Sequence, residues 1–335
     1  MKTVAFKNKP RIVATGTIAG PKECAGVVGK YVDNALADDM FGESTYEKAE
    51  CKMLSYAISR AMKNAKAKEK DVDMLISGDL LNQIISASFA ARDFDISFLG
   101  VYGACSTLAE SYALAATLID GGYAKNIIAA TGSHFSSAER QYRYPLELGN
   151  TRPPQSQWTV TGAGGAFISY MDSPFYQKSA PAITSATFGR VVDFGVTDVN
   201  NMGAAMAPAA ADTILRHLHD TAKKASDYDL ILTGDLGALG SRIVKDLIWE
   251  KGVDIQNNHV DCGEIIYKVI EDEFQGGSGA GCSAVVFNSY IMDRLRKREI
   301  NRVLLVATGA LLSTVSSGQG ESIPCIAHAV CIENI

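Results

Sequence analysis

The chain has 335 residues, 47% hydrophobic and 21% charged, which is the composition of a soluble globular protein with one large domain or two medium ones. Its formal net charge is −5 and no long run of Lys or Arg occurs, which excludes the basic surface needed for nucleic-acid binding. No apolar stretch has the length of a signal peptide or of a bilayer span, so we expect a cytoplasmic protein whose contact with membranes is peripheral.

The first half of the chain predicts a strand, a cysteine-bearing turn, a helix and a further strand. The buried strand at 72–82 (VDMLISGDLLN) ends in Gly-Asp-Leu at 78–80. A Cys-Ser turn follows at Cys105, and a helix extends from Ser106 to Asp120, where two glycines close it. The strand at 124–134 (AKNIIAATGSH) is continuously apolar, as expected when both faces of a parallel sheet are covered.

The region at 141–199, between the two halves, is rich in Pro, Gly, Thr and Tyr. Its segment at 158–170 (WTVTGAGGAFISY) predicts a glycine-containing turn followed by a strand. Just beyond the region, residues 201–218 (NMGAAMAPAAADTILRHL) predict an Ala-rich helix with Pro208 in its first turn.

The second half repeats the pieces of the first half in the same order. A strand at 228–237 (YDLILTGDLG) again ends in Gly-Asp-Leu, a Cys-Ser turn at Cys282 leads into a helix at 283–298, and a strand at 300–310 (INRVLLVATGA) follows. Cys105 and Thr131 are 26 residues apart, and so are Cys282 and Thr308. These matches predict an internal duplication of a βαβ unit with right-handed crossovers.

The seven cysteines include no Cys-X-X-Cys pair, which indicates free thiols in a reducing compartment. Cys105 lies where a strand gives way to a helix, and the helix N-terminus is expected to lower the pKa of its thiol. That position suits an acyl-accepting nucleophile, and it equally suits a small residue packed in a tight turn. A nucleophile also needs a base. His134 and His328 are the candidates, whereas the pattern places His217 and His219 on the surface of a helix and His259 in a polar loop.

The doubled βαβ halves, the Ala-Cys-Ser-Thr turn and the TGAGGAFIS strand resemble the thiolase superfamily, especially its ketoacyl synthase III branch. The resemblance implies an α/β protein of five layers, α/β/α/β/α, with an N-terminal half at 1–175, a C-terminal half at 176–335 and the site between them. It also implies a homodimer, in which the strand AKNIIAATGS pairs with its twin across the two-fold axis.

A closer resemblance is to the stage V sporulation protein AD family of spore-forming Firmicutes. The segments that carry it run from about residue 15 to 330 and include TGTIAGPKE, SGDLLNQI, FLGVYGACST, QYRYP, NMGAAMAPAAADTI, GGSGAGCSAVV and ESIPCIAHAV. The resemblance implies binding of dipicolinic acid and a role in its uptake into the developing spore. It further implies partners among the other stage V sporulation A-type membrane proteins, and a peripheral location at the forespore or spore inner membrane.

Two departures from the condensing enzymes disfavour catalysis. Asp235 stands about where that branch has its catalytic His, and Ser278 and Gly279 stand where it has its Asn. An ionised carboxylate only accepts hydrogen bonds, so it cannot replace an oxyanion donor. We therefore interpret Cys105 as a vestigial nucleophile in a binding protein. The alternative is a condensing acyltransferase in which Cys105 is acylated and His328 or His134 is the base.

For dipicolinate, a flat ring with two carboxylates, we expect a pocket with cationic and N–H donors and apolar walls. Lys22, held by a rigid Gly-Pro turn, is the expected cation, and the helix N-termini at Cys105 and Cys282 are expected to supply N–H groups. Asp79 and Asn82 are expected at the mouth, and His328 is the remaining candidate ligand-binding residue. No metal site or cofactor is predicted, apart from a calcium ion that Asp79 could help to hold together with dipicolinate.

Overall fold

The computed structural model describes residues 3–143, 146, 149, 151–267 and 274–335. The first half contains, in chain order, β1 (Thr3–Ala5), β2 (Arg11–Ala19), α1 (Pro21–Cys24), β3 (Asn34–Ala35), α2 (Tyr46–Ala65), β4 (Met74–Gly78), α3 (Ile85–Ala91), β5 (Phe98–Gly100), α4 (Thr107–Asp120), β6 (Asn126–Ser133), α5 (Phe135–Tyr142), β7 (Trp158–Thr159) and β8 (Gly162–Ser169).

The second half contains β9 (Ala182–Thr187), α6 (Met202–Thr221), β10 (Leu230–Thr233), α7 (Gly237–Trp249), β11 (His259–Asp261), α8 (Cys262–Ile266), β12 (Gly277–Ser278), α9 (Ala280–Val286), α10 (Met292–Arg296), β13 (Arg302–Ala310), α11 (Thr314–Gly318) and β14 (Cys325–Glu333). A π-helical segment, Phe287–Ile291, joins α9 to α10. No helix in the described part of the chain is both long and apolar enough to cross a bilayer.

The sheet topology confirms the duplication. The first half contributes the strand order β5-β4-β6-β8-β2, and the second half contributes β11-β10-β13-β14-β9. When the five strands of each set are numbered 1 to 5 in chain order, both sets have the order 3-2-4-5-1. In both halves, the first three strands of the order are parallel to one another, and the fourth strand pairs antiparallel with its neighbour on each side. The two sets meet where Arg11 of β2 pairs with Ala182 of β9.

The helices complete the predicted five layers. Helices α2 and α3 pack on one face of the first strand set, α6 and α7 pack on the outer face of the second, and α4 and α9 lie between the two sets. Three hydrophobic clusters fill the interfaces between these layers. Because helices cover both faces, every residue of β6 and β8 is buried. The predicted boundary at residue 175 falls between β8 and β9 and stays a prediction.

Two local predictions, one from the region between the halves and one from the helix that follows it, are wrong. The glycines of TGAGGAFIS belong to strand β8 itself, because α9 packs directly onto it: a Cβ on Gly164 would lie 2.3 Å from the carbonyl oxygen of Ala284. Pro208 is not in the first turn of its helix, since α6 begins at Met202 and places the proline inside it.

The strand predicted to form the dimer is also in the wrong place for that role. It is β6, which is fully buried and hydrogen-bonded to β4 on one side and β8 on the other, so it has no free edge. In the strand order of this half, β5 is the terminal strand, and its Phe98 and Leu99 are 37% and 38% exposed. The prediction of a homodimer therefore moves to β5.

Candidate functional site

Cys105 lies in a strained turn between β5 and α4. The turn is a 3-10 segment, Ala104–Ser106, in which Ala104 has φ +50°, a left-handed conformation that alanine rarely adopts. Gly309 of β13 packs directly behind the turn, where a Cβ would lie 2.0 Å from the carbonyl oxygen of Gly103. The close packing of the second half onto this turn holds Cys105 at the junction of the halves.

The thiol opens into a cavity formed by both halves. Its empty volume, which includes the open mouth, is about 480 Å³. The first half contributes residues from the Cys105 turn, the end of α5 and β7, and the second half contributes the start of α6, β12 and the end of β13. The described lining residues are Leu80, Tyr102, Ala104, Cys105, Ala138, Tyr142, Arg143, Thr159, Met202, Met206, Ser278, Gly279, Ala310 and Leu312.

Asp235 lies behind this cavity, next to the Cys105 thiol. The carboxyl group is fully buried. Its Oδ1 accepts from the Thr308 hydroxyl at 2.9 Å, and its Oδ2 accepts from the backbone N–H of Gly279 at 2.9 Å and the Ser278 hydroxyl at 3.3 Å. Burial raises the pKa of Asp235 to about 6 although these hydrogen bonds favour its ionised form.

The expected lowering of the Cys105 pKa is wrong. Burial, and after it the charge and the hydrogen bond of Asp235, raise the pKa of the thiol well above its usual value. The helix N-terminus does not compensate, because the neighbouring carboxylate disfavours a second negative charge on the thiol. Near neutral pH the Cys105 side chain is therefore a protonated hydrogen-bond donor.

Arg143, at the end of α5, is the cation of the cavity wall. Its side chain is only 10% exposed, and its Nη1 donates to Oε1 of the buried Glu139 at 2.5 Å. The Thr159 hydroxyl donates to the same oxygen at 2.9 Å, and Arg152 approaches the other carboxylate oxygen at 3.6 Å. The Nε of Arg143 is buried and donates to no group in the described part of the chain.

Two tyrosines line the cavity next to Arg143. The Tyr142 hydroxyl donates to the carbonyl oxygen of Leu80, and the Tyr102 hydroxyl lies 3.2 Å from that of Tyr142. Helix α5 positions this part of the wall, and His134 is its N-cap. The Nδ1 of His134 accepts from the N–H of Ser136 at 3.1 Å, while its Nε2 lies 2.9 Å from the carbonyl oxygen of Asp39.

The structure separates most of the predicted ligand-binding residues from Cys105. Asp79 is fully buried outside the cavity, and its two oxygens accept from the N–H groups of Leu81 and Ala87, both at 2.7 Å. It therefore fixes the start of α3, and its engaged oxygens do not suit the calcium role. Asn82 is exposed and lines a neighbouring groove rather than the Cys105 cavity.

Lys22, Cys282 and His328 also lie outside the described cavity lining. The Nζ of Lys22 lies 3.5 Å from the centroid of the Trp158 ring. Cys282 is fully buried in α9, although the preceding Ser278 and Gly279 reach the cavity. His328 lies in β14, where its Nδ1 accepts from the N–H of Gly189 at 3.3 Å and burial lowers its pKa to about 4.

The predicted surroundings of the other histidines are partly wrong. His217 is buried, not on the surface, with its ring between the hydroxyls of Thr187 at 2.7 Å and Tyr228 at 2.8 Å. His259 is in β11 rather than a loop, and burial lowers its pKa to about 3. His219 is exposed, as predicted. The described residues that line the cavity include no histidine, so neither candidate base is part of the lining that contains Cys105.

The sequence analysis missed the residues that complete the cavity, namely Arg143, Tyr142, Met202 and Met206. All four lie in segments that carried the family resemblance, QYRYP and NMGAAMAPAAADTI. Nothing in their spacing indicates that they meet Cys105, because only the tertiary fold brings the two segments to one cavity. Among the described residues, no group of three or more His, Cys, Asp or Glu side chains is placed to hold a metal ion.

Solved structures of condensing enzymes share the fold. The chain superposes on 3-oxoacyl-(acyl-carrier-protein) synthase III from Aquifex aeolicus VF5 with a TM-score of 0.57 at 14% identity, covering 97% of this chain and 99% of that one. For cerulenin-bound OleA from Xanthomonas campestris, the TM-score is 0.61 at 12% identity, covering 98% of both chains. Identities this low show the fold alone, and the predicted thiolase-like architecture is confirmed.

Sequence comparison is more specific than the fold. Residues 1–333 match the family described as Stage V sporulation protein AD (SpoVAD). The chain is 46% identical over 332 residues to stage V sporulation protein AD of Bacillus subtilis (strain 168), covering 99% of this chain and 96% of that protein. The predicted resemblance is thereby confirmed, and the chain belongs to the stage V sporulation protein AD family.

Proposed function

We propose that the chain binds dipicolinic acid in the Cys105 cavity and supports its uptake into the developing spore during sporulation. The observation that carries this proposal is the buried carboxyl group of Asp235 beside Cys105, which raises the pKa of the thiol. A condensing enzyme needs a thiolate and a base, whereas this pair keeps the proton on sulfur. The alternative, acyl transfer through Cys105, requires a reactive thiol that this environment disfavours.

The chemistry of the cavity suits a flat aromatic acid. Met202, Met206 and Leu312 offer apolar surface for a ring, while Arg143 offers N–H donors for a carboxylate. The residues with donors lie on the first-half side and the methionines on the second-half side. A ligand held between them would therefore contact both halves of the duplicated fold.

The partners and the location belong to the same proposal. We expect a homodimer that acts peripherally at the forespore or spore inner membrane, together with other stage V sporulation A-type membrane proteins. Membership in a sporulation family supports the biological setting. The exposed apolar edge at Phe98 and Leu99 supports the homodimer.

Titration calorimetry with dipicolinate tests the proposal. The wild-type protein should bind, and Met206→Trp, which fills the cavity, should not. Met171→Trp is the matched control, because Met171 is 52% exposed and lies outside the cavity lining. No heat and no thermal shift with millimolar ligand would refute the proposal. A stable acyl group on Cys105 after incubation with acetyl-CoA, seen by intact mass, would favour the acyltransferase instead.

A further inference from the structure

Arg143 is the only Lys or Arg among the described residues that line the Cys105 cavity. Its side chain is nine-tenths buried, so its charge acts in surroundings from which water is largely removed. Buried charges are normally paired on all sides, yet the Nε of Arg143 is buried and donates to no described group. The guanidinium is therefore only partly satisfied by the protein.

The satisfied part of the guanidinium is held firmly. Glu139 is 2% exposed and accepts from Nη1 of Arg143 at 2.5 Å. The same carboxylate is fixed by the hydroxyl of Thr159 at 2.9 Å and by Arg152 at 3.6 Å. Nη1 is engaged by Glu139, and the unpartnered Nε lies on the edge of the guanidinium that it shares with Nη2. Two parallel N–H groups on one such edge match one carboxylate.

We propose that Arg143 is the residue that recognises the ligand, binding one carboxylate through Nε and Nη2, and that Glu139 is the positioning residue that orients it. The ligand class is a small aromatic carboxylic acid. This deepens the proposed function, on which the identity of the acid as dipicolinate rests. The selectivity for a carboxylate next to Cys105 does not depend on that identity.

Two thiol reagents of similar size test the charge selectivity without dipicolinate. Iodoacetate carries a carboxylate and iodoacetamide does not, so the ratio of their alkylation rates at Cys105 reports the anion preference of the cavity. Peptide mass spectrometry at about pH 9 measures this ratio for Cys105 separately from the other cysteines. Arg143→Gln should lower the ratio by about tenfold or more, because it removes a charge-assisted contact.

Arg140→Gln is the matched control, since Arg140 lies on the same helix but pairs with the exposed Glu47. It should leave the ratio unchanged. Arg143→Lys keeps the charge without the two parallel donors and should give an intermediate ratio. This variant also serves if Arg143→Gln does not fold. Glu139→Gln should shift the ratio towards that of Arg143→Lys while the protein stays folded.

Calorimetry with dipicolinate separates the two proposals. If dipicolinate binds the wild type and Arg143→Gln weakens binding at least about tenfold, both proposals hold. A lowered reagent ratio without dipicolinate binding to the wild type would support the carboxylate role of Arg143 and refute the proposed ligand. If dipicolinate binds the wild type and Arg143→Gln with equal affinity, or if Arg143→Gln leaves the ratio of alkylation rates unchanged, the proposed role of Arg143 is overturned. Neither result contradicts the proposed binding of dipicolinate.

Discussion

Replacing Asp235 by Asn should activate the Cys105 thiol. The carboxyl group of Asp235 is buried, and its charge raises the pKa of the neighbouring thiol. Two unit charges about 4 Å apart interact by about 4 kcal/mol at an effective dielectric constant of 20, which corresponds to about 3 pKa units. Asp235→Asn should therefore lower the pKa of Cys105 by up to about 3 units. Burial, the larger cause of the raised pKa, remains in the variant.

The assay is the alkylation rate of Cys105 by iodoacetamide as a function of pH, read from its peptide by mass spectrometry. Because the thiolate reacts, the rate at about pH 9 should rise by about a hundredfold or more in Asp235→Asn. Asp79→Asn is the matched control, since Asp79 ends the corresponding strand of the first half and binds backbone N–H groups instead of the thiol. An equal rate in the wild type and Asp235→Asn, or an equal rise in Asp79→Asn, would refute the reasoning.

Three further predictions concern pH, assembly and packing. Dipicolinate affinity should rise up to about tenfold per pH unit as the pH falls from about 8, and level off below about 6. The reason is that Asp235, whose burial raises its pKa to about 6, must take up a proton beside an anionic ligand; calorimetry on Asp235→Asn should show a flat profile. Leu99→Glu on the β5 edge should give a monomer by light scattering where the wild type is a dimer, and a monomeric wild type at micromolar concentration would contradict the assembly. Gly309→Ala should lower the free energy of unfolding by about 2 kcal/mol or more in urea, because its Cβ would strike the Cys105 turn; Gly318→Ala, which meets open space, should have little effect.

Much of the fold could be predicted because the same local sequence patterns occur in both halves of the chain. Continuous apolar runs indicate strands covered on both faces, and the two Gly-Asp-Leu and Cys-Ser matches put the runs in the same order. The departure at Asp235 was also readable from the sequence, since it depends on position along a recognised strand. Its contact with Cys105 confirms the placement.

The side of the cavity opposite Cys105 could not be predicted from the sequence. Arg143 is placed there by helix α5, whose N-cap is His134, and Met206 is placed there by the packing of helix α6. Both positions result from tertiary packing, and no local sequence pattern indicates them. The same limit explains why Lys22 was expected to be the cation of the pocket. A Gly-Pro turn can fix a lysine, but the sequence does not show that its ammonium group lies on the Trp158 ring.

The pair Asp79 and Asp235 shows how a duplicated tripeptide acquired two different roles. In the first half, the carboxylate of Asp79 turns back to its own chain, where it binds the N–H groups of Leu81 and Ala87. It is thereby committed to holding the start of α3, and it has no free oxygen for the cavity. Its role is structural.

In the second half, another carboxylate takes over that structural work. The N–H groups of Leu236 and Gly237, at the start of α7, donate to Asp261 at 2.8 and 2.9 Å. Asp261 is the last residue of the neighbouring strand β11. The corresponding strand of the first half, β5, ends without an acidic residue. Because Asp261 satisfies these backbone donors, Asp235 is released to face Cys105. The position of Asp235 beside Cys105 therefore depends on an aspartate that is not among the described residues lining the cavity.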